Sequence, residues 1–308
     1  MKKLIPILAV LAILASACGA GNAQPTAIPL PTAMATAEGN NPTEEAASGG
    51  QAGEERTSSV DGMPQVYVPE GTFRMGGIGS DTQKDERPDH NVTMKSFWID
   101  KLEVTNGMYD LCVKAAACDT PQKFNSENRD SYYGNAEFID FPVVYVTWLQ
   151  ADTYCKWAGR RLPTEAEWER AARGDDYRIY PWGDDRPDSS RGNFNYFVGD
   201  TARVGSYPAG ASPFGALDLI GNVNEWVADF YDANYYGQGV TSNPTGPAAR
   251  SQYFGRVIRG GSYQEALKDL RLSNRGTMIG NDTSATDIYS TEYLGEFSPK
   301  VGFRCASD

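Results

Sequence analysis

The chain has 308 residues, 40 acidic against 28 basic side chains, and a formal net charge of -12. That balance excludes nucleic acid as an electrostatic partner and excludes docking by charge on anionic lipid. A single histidine, His90, excludes sites that need several imidazoles, His-rich zinc sites included.

Met1-Lys2-Lys3 and the apolar run over 4–14 have the form of a secretory signal occupying residues 1–17, too short for a spanning helix. It ends in Ala15-Ser16-Ala17-Cys18-Gly19, a cysteine placed directly after small residues. This resembles the bacterial lipoprotein signal, whose cysteine is lipidated and becomes the mature N-terminus. The resemblance implies lipidation at Cys18, a location on the extracytoplasmic side, and membrane contact through the lipid only. Ala15 stands where that signal prefers Leu, so ordinary cleavage with secretion stays open, as does a retained anchor. Residues 18–62 are rich in Ala, Thr, Pro, Gly, Glu and Asn. Too apolar-poor to repay its ordering entropy, this stretch is expected to be a disordered tether.

Residues 63–308 show no internal linker or repeat and are expected to form a single domain. The alternation around Pro88-Asp89-His90-Asn91-Val92-Thr93-Met94 predicts a strand, with His90 hydrogen-bonded at its end. Thr105 is placed to cap a helix over 106–116, with Met108, Leu111, Cys112 and Ala115 as its apolar face. Thr147 with Gln150, and Thr164 with Glu167, have the spacing of capping boxes. They open helices over 148–157 and 165–173, ended by Gly159 and Gly174. Trp148, Trp168 and Trp182 are expected in the core, and the place of Trp226 is left open. Cys112, Cys118, Cys155 and Cys305 are an even number in an exported domain, which indicates disulfides; the sequence alone allows three pairings.

A train of motifs runs through this region. Its first members are Val68-Pro69-Glu70-Gly71-Thr72-Phe73-Arg74-Met75-Gly76, Phe97-Trp98-Ile99-Asp100, Glu103-Val104-Thr105-Asn106 and Gly159-Arg160-Arg161-Leu162-Pro163-Thr164-Glu165-Ala166-Glu167-Trp168-Glu169. Tyr180-Pro181-Trp182-Gly183, Gly221-Asn222-Val223-Asn224-Glu225-Trp226, Arg259-Gly260-Gly261-Ser262-Tyr263 and Gly302-Phe303-Arg304-Cys305 follow in order. In content and order these resemble the formylglycine-generating, or sulfatase-modifying factor, family. The resemblance implies an α+β single domain of low regular secondary structure, akin to C-type lectins.

It also implies particular residues. Family members join the cysteine of the Ala-Asp-x-x-Tyr-Cys helix to that of Gly-Phe-Arg-Cys, which here gives Cys155–Cys305 and leaves Cys112–Cys118 as a local pair. They bind calcium through an amide, two carbonyls and a glutamate at places matching Asp218, Gly221, Val223 and Glu225, with Asp218 here replacing the amide. Ca²⁺ takes six to eight oxygens, which such loops can supply. A second loop offers Asn193, the carbonyl of Phe194 and Asp200, this last chosen without a close match in loop length. Turn chemistry without any metal explains both loops equally in kind.

The family's Arg-Gly-Gly-Ser-Tyr run is followed by two cysteines that bind copper and oxidise a substrate cysteine. Glu265 and Leu270 stand at those two places, and neither offers the thiolate that Cu(I) wants. No copper is therefore expected. The retained cleft would comprise Arg259, Ser262, Glu265 and Arg275. For Ser262 capping a turn is the plain alternative, and for Arg275 a buried ion pair. The expected function is a non-catalytic, surface-tethered binding or scaffolding domain for an exported protein or a glycan. The alternative is an oxidase that modifies a side chain of exported proteins, working through Cys112 and Cys118 or a metal held by carboxylates.

Overall fold

In this computed structural model the described residues are 50–77, 79–248, 255–280 and 295–308. The signal, Cys18 and the tether as far as residue 49 lie outside them. The folded unit spans Ala47–Asp308. Its elements are β1 (Glu55–Thr57), β2 (Pro64–Val68), β3 (Gly71–Met75), β4 (His90–Met94), β5 (Phe97–Asp100), α1 (Asn106–Lys114), α2 (Trp148–Trp157), α3 (Glu165–Arg173), β6 (Asn224–Phe230), β7 (Gly255–Arg259), β8 (Gly276–Ile279), β9 (Val301–Phe303) and β10 (Ala306–Ser307).

Three small sheets carry the domain, in the orders β1-β2-β5-β10, β3-β4 and β8-β7-β6-β9. All pairings are antiparallel except β6 with β9, where Glu225 faces Gly302. The chain's end therefore enters two sheets, through β9 and β10. Cys155–Cys305, with Cα atoms 5.6 Å apart, ties that end to α2 across 150 residues. Cys112–Cys118 closes the turn after α1. Both bridges are the expected ones. Long connections fill the rest, as the sparse periodicity predicts.

The tether boundary at residue 62 is corrected. β1 lies within it and pairs with β2, Glu55 opposite Val66. Asp61 is buried against Arg160 and accepts the Tyr154 hydroxyl at 2.7 Å. One buried carboxylate paired by an arginine anchors a stretch whose composition alone could not order it.

The helix signals hold, because each is local. Thr105 accepts from Met108 N, Thr147 from Gln150 N and Thr164 from Glu167 N, the last two as complete capping boxes. The apolar face expected of α1 is rotated, however: Tyr109 and Cys112 are buried, while Leu111 is 44% exposed. Tyr109 stacks on Tyr154 of α2 at 5.5 Å, and the Cys112 bridge fixes the same face inward. Trp168 and Trp226 are fully buried, and the Trp226 indole donates to Val146 O, which settles it as a core residue. Trp148 and Trp182 are half-buried at the edges of the core. His90 lies at the start of β4, its Nδ1 3.0 Å from Pro88 O. Among the described residues no helix is long and apolar enough to cross a membrane.

Candidate functional site

β7 ends at Arg259, and two left-handed glycines, Gly260 (φ 93°) and Gly261 (φ 76°), turn the chain away from the sheet. A side chain at 260 would press on Leu219 O at 3.0 Å and on the Trp168 ring at 3.3 Å. One at 261 would meet both Glu265 (2.9 Å) and Leu270 (3.5 Å), so these two positions flank the same turn. Their surroundings differ. Leu270 is sealed in the hydrophobic core with Trp168 and Leu272, whereas Glu265 lines a pocket of about 320 Å³.

Of the expected cleft, only Glu265 opens onto that pocket. Arg259 is fully buried, donating to Glu165 at 2.6 Å and to Glu169 at 2.7 Å. Arg275 is bidentate to Glu165, at 2.7 and 2.9 Å. Ser262 Oγ accepts from Gln264 N at 3.3 Å and caps the turn. The two arginines and the serine are corrected from cleft lining to internal supports. The carboxylate partners of the two arginines come from α3, every residue of which is buried, charged ones included. Burial alone would raise the Glu165 carboxyl, but Arg275 and Arg259 outweigh it and hold the group below its usual range.

Glu265 behaves oppositely. Burial pushes its carboxyl up; Lys300 and the Asn224 amide oppose this, and Asp269 adds to it. Lys300, Asn274, Thr277 and Ser298 complete the polar lining. These four were missed. Lys300 and Ser298 lie just before β9, and only the parallel pairing of β9 with β6 brings them to this turn. Beside Glu265 the chain presents three consecutive exposed apolar residues, Tyr196, Phe197 and Val198. Asn195 and Tyr196 both have positive φ, and their amides donate to Glu265 O and Tyr263 O.

The two cation loops are brought together. Asn222 N donates to Asn193 O at 2.7 Å, and a side chain at Gly221 would strike that same oxygen. Not all the expected ligands are free, however. Glu225 accepts two bonds from Arg304, at 2.6 and 2.7 Å, and one from the Trp168 indole. The Asp200 carboxylate accepts from Ser126 Oγ and from the amides of Asn128 and Thr201. These bonds tie the loops on either side of Asp200 together. Phe194 is buried against Phe197.

Glu103, which the sequence reading missed, is fully buried here and accepts from Val223 N at 3.1 Å. Burial first, then Asp218 and Glu225, drive its carboxyl well above the usual range. Burial likewise pushes Asp218 up to about 6, against Gly205 N and Arg304. Glu103, Asp218 and Glu225 thus share one arginine. Asn193 Oδ1 is buried with no hydrogen-bond partner among the described residues. A cation suits the excess of negative charge and this orphan oxygen. It does not suit a ring closed by Glu225. Among the described residues no three acidic, His or Cys side chains form a ready metal cage.

Residues 49–308 match the model of the sulfatase-modifying factor enzyme 1-like domain, and the chain belongs to that family. It is 34% identical over 254 residues to the serine/threonine-protein kinase Pkn1 of Chlamydia trachomatis serovar L2, with 79% of this chain covered. The chain spans only 38% of that kinase's length. The formylglycine-generating enzyme of Streptomyces coelicolor is 32% identical, covering 79% of this chain and 89% of the enzyme. The inactive C-alpha-formylglycine-generating enzyme 2 of Mus musculus is 31% identical, covering 79% and 85%. Among solved structures, PvdO from Pseudomonas aeruginosa superposes with a TM-score of 0.67 at 26% identity, covering 84% of this chain and 99% of PvdO. The family therefore holds both catalytic and inactive members on one fold.

Proposed function

We propose that this chain is a non-catalytic binding domain, exported and tethered at the cell surface through a lipidated Cys18. The observation that carries the reading is the pair of positions beside Gly261: a core leucine and a pocket carboxylate stand where the family's oxidases place two thiols. The four cysteines of the folded unit are consumed in two disulfides. The inactive relative in mouse gives the reading a precedent in the family. The binding face comprises the Glu265 pocket and the exposed Tyr196-Phe197-Val198 run, an apolar patch of the kind that marks interaction sites. The partner is an exported protein or a glycan. Calcium is a structural ion in this proposal, near Asn193 and the Glu103–Asp218 carboxylates, and takes no part in chemistry.

The test is mass spectrometry of a Cys-x-Pro-x-Arg peptide incubated with the copper-loaded protein, oxygen and a reductant. The expected result is no conversion of the cysteine to formylglycine above the no-protein control, and no stoichiometric copper retained. Conversion above that control would overturn the proposal and make the chain an oxidase.

A further inference from the structure

The Glu265 pocket carries two opposite charges that the fold leaves apart. Glu265 and Lys300 line the same cavity. The lysine and the Asn224 amide are near enough to favour the ionised carboxylate. No ion pair joins Glu265 and Lys300, and among the described residues neither has a salt-bridge partner elsewhere.

The buried arginines of the domain are treated differently. Arg259, Arg275 and Arg304 are each locked to a carboxylate within 2.7 Å. Charge that is partly withdrawn from water and unpaired costs free energy, which a ligand of complementary charge recovers. A ligand carrying both signs recovers it twice. Near the charges the wall offers the Asn274 amide and the hydroxyls of Thr277 and Ser298, and Ile258 and Met278 add apolar surface. At about 320 Å³ the cavity is at the small end of ligand pockets.

We propose that this pocket binds an amino-acid-type zwitterion with an aliphatic side chain, a free amino acid or a short peptide. Its ammonium pairs with Glu265, its carboxylate with Lys300, and its side chain packs on Ile258 and Met278. The inference rests on reading the Glu265 cleft as a binding site, and it names what that site takes.

Isothermal titration of the full-length protein with L-leucine and with L-leucyl-L-leucine tests it, and the stronger binder distinguishes amino acid from peptide. Two controls each lack one charge: isopentylamine has no carboxylate and 4-methylpentanoate has no ammonium. At least one zwitterion is expected to bind, with both controls about tenfold weaker or more, as loss of a charged hydrogen-bond pair predicts. In Glu265→Gln the zwitterion should weaken about tenfold, and the penalty for lacking the ammonium should disappear while that for lacking the carboxylate persists. Lys300→Gln should show the reverse pattern. Thermal melting of both variants checks that each is folded. Absence of heat for both zwitterions at millimolar concentration overturns the proposal. So do controls that bind as tightly as the zwitterions, or variants that bind like the parent. Conversion of the peptide cysteine in the preceding test would remove the binding-domain reading itself, whereas silent titrations without conversion would remove only this inference.

Discussion

Two ionic centres lie inside this domain, and they are built on opposite terms. Under the Gly260-Gly261 turn, Arg259, Arg275 and Arg173 meet Glu165 and Glu169, so each carboxylate is matched by two cations that share it. Beside the Asn222 turn, Glu103, Asp218 and Glu225 share Arg304 alone. The carboxylate at the heart of the first centre is held below its usual range, while two of the three in the second are driven above theirs. Burial raises a carboxyl in both places; the ratio of arginines to carboxylates differs. The matched centre is a fixed strut between α3, β7 and the segment leading into β8. The unmatched one has a debt of positive charge.

Breaking the match should have the largest effect. Glu165→Ala leaves Arg259 and Arg275 buried without their shared partner, and removing one side of a buried pair costs roughly 3–5 kcal/mol. Urea denaturation should show that loss as a lower midpoint with an unchanged slope. A loss under about 1 kcal/mol would mean that the arginines find water or other partners, and the strut reading would fall.

The centres should also respond oppositely to pH. A depressed carboxyl such as Glu165 contributes stability above its unfolded pKa and loses it as pH falls through the lower folded value. A raised carboxyl such as Asp218 does the reverse: stability is greatest below about pH 4 and declines as pH rises to about 6. A displacement from 3.8 to about 6 corresponds to roughly 3 kcal/mol at the upper end. Asp218→Asn, measured in chelator, should therefore make the decline between pH 4 and 6 shallower, leaving in place the share of Glu103, Asp100 and Asp229, which burial also raises, and the acid-side loss from Glu165. If the variant's pH profile parallels the parent's, Asp218 is not the group that titrates.

The difference between the centres also explains what could be read from the chain. Caps and stops were legible because they act over three or four residues: Thr147 with Gln150, Thr164 with Glu167, Gly174 after Arg173. The strand at His90–Met94 was legible from its alternation. The disulfide pairing and the fold were legible through the family motifs. Charge pairing was not, because its partners are distant in the chain: Arg259 and Arg275 reach back 94 and 110 residues to Glu165. An arginine in a Gly-rich turn looks like cleft lining until its carboxylate is found. Glu103 is hidden in the same way, meeting the Val223 amide 120 residues on. β1, three exposed residues long, carries no pattern of its own and exists through its ladder to β2. Lys300 reaches the Glu265 pocket only because β9 runs parallel to β6.

The smallest expected effects test whether the unmatched centre is completed by calcium. An ion bound only by the folded state stabilises by mass action, about 2.7 kcal/mol when its free concentration is a hundred times Kd. Calcium should thus raise the melting temperature of the parent, and thorough chelation should lower it reversibly. It should also flatten the decline between pH 4 and 6, because the added charge favours the ionised forms of Asp218 and Glu103. Asn193→Ala sharpens the point. That change removes the orphan Oδ1 and also the bonds from Nδ2 to Asp200 O, at 2.8 Å, and to Asn222 Oδ1, at 3.3 Å. In chelator the variant should lose about 2 kcal/mol, the net worth of two hydrogen bonds. In calcium it should fail to gain what the parent gains. A parent melting curve indifferent to both chelation and calcium would show that Arg304 alone must balance this centre. Glu103 and Asp218 would then be carboxyls whose protons the fold holds to higher pH than usual, and the two centres would differ in proton affinity and not in a missing cation.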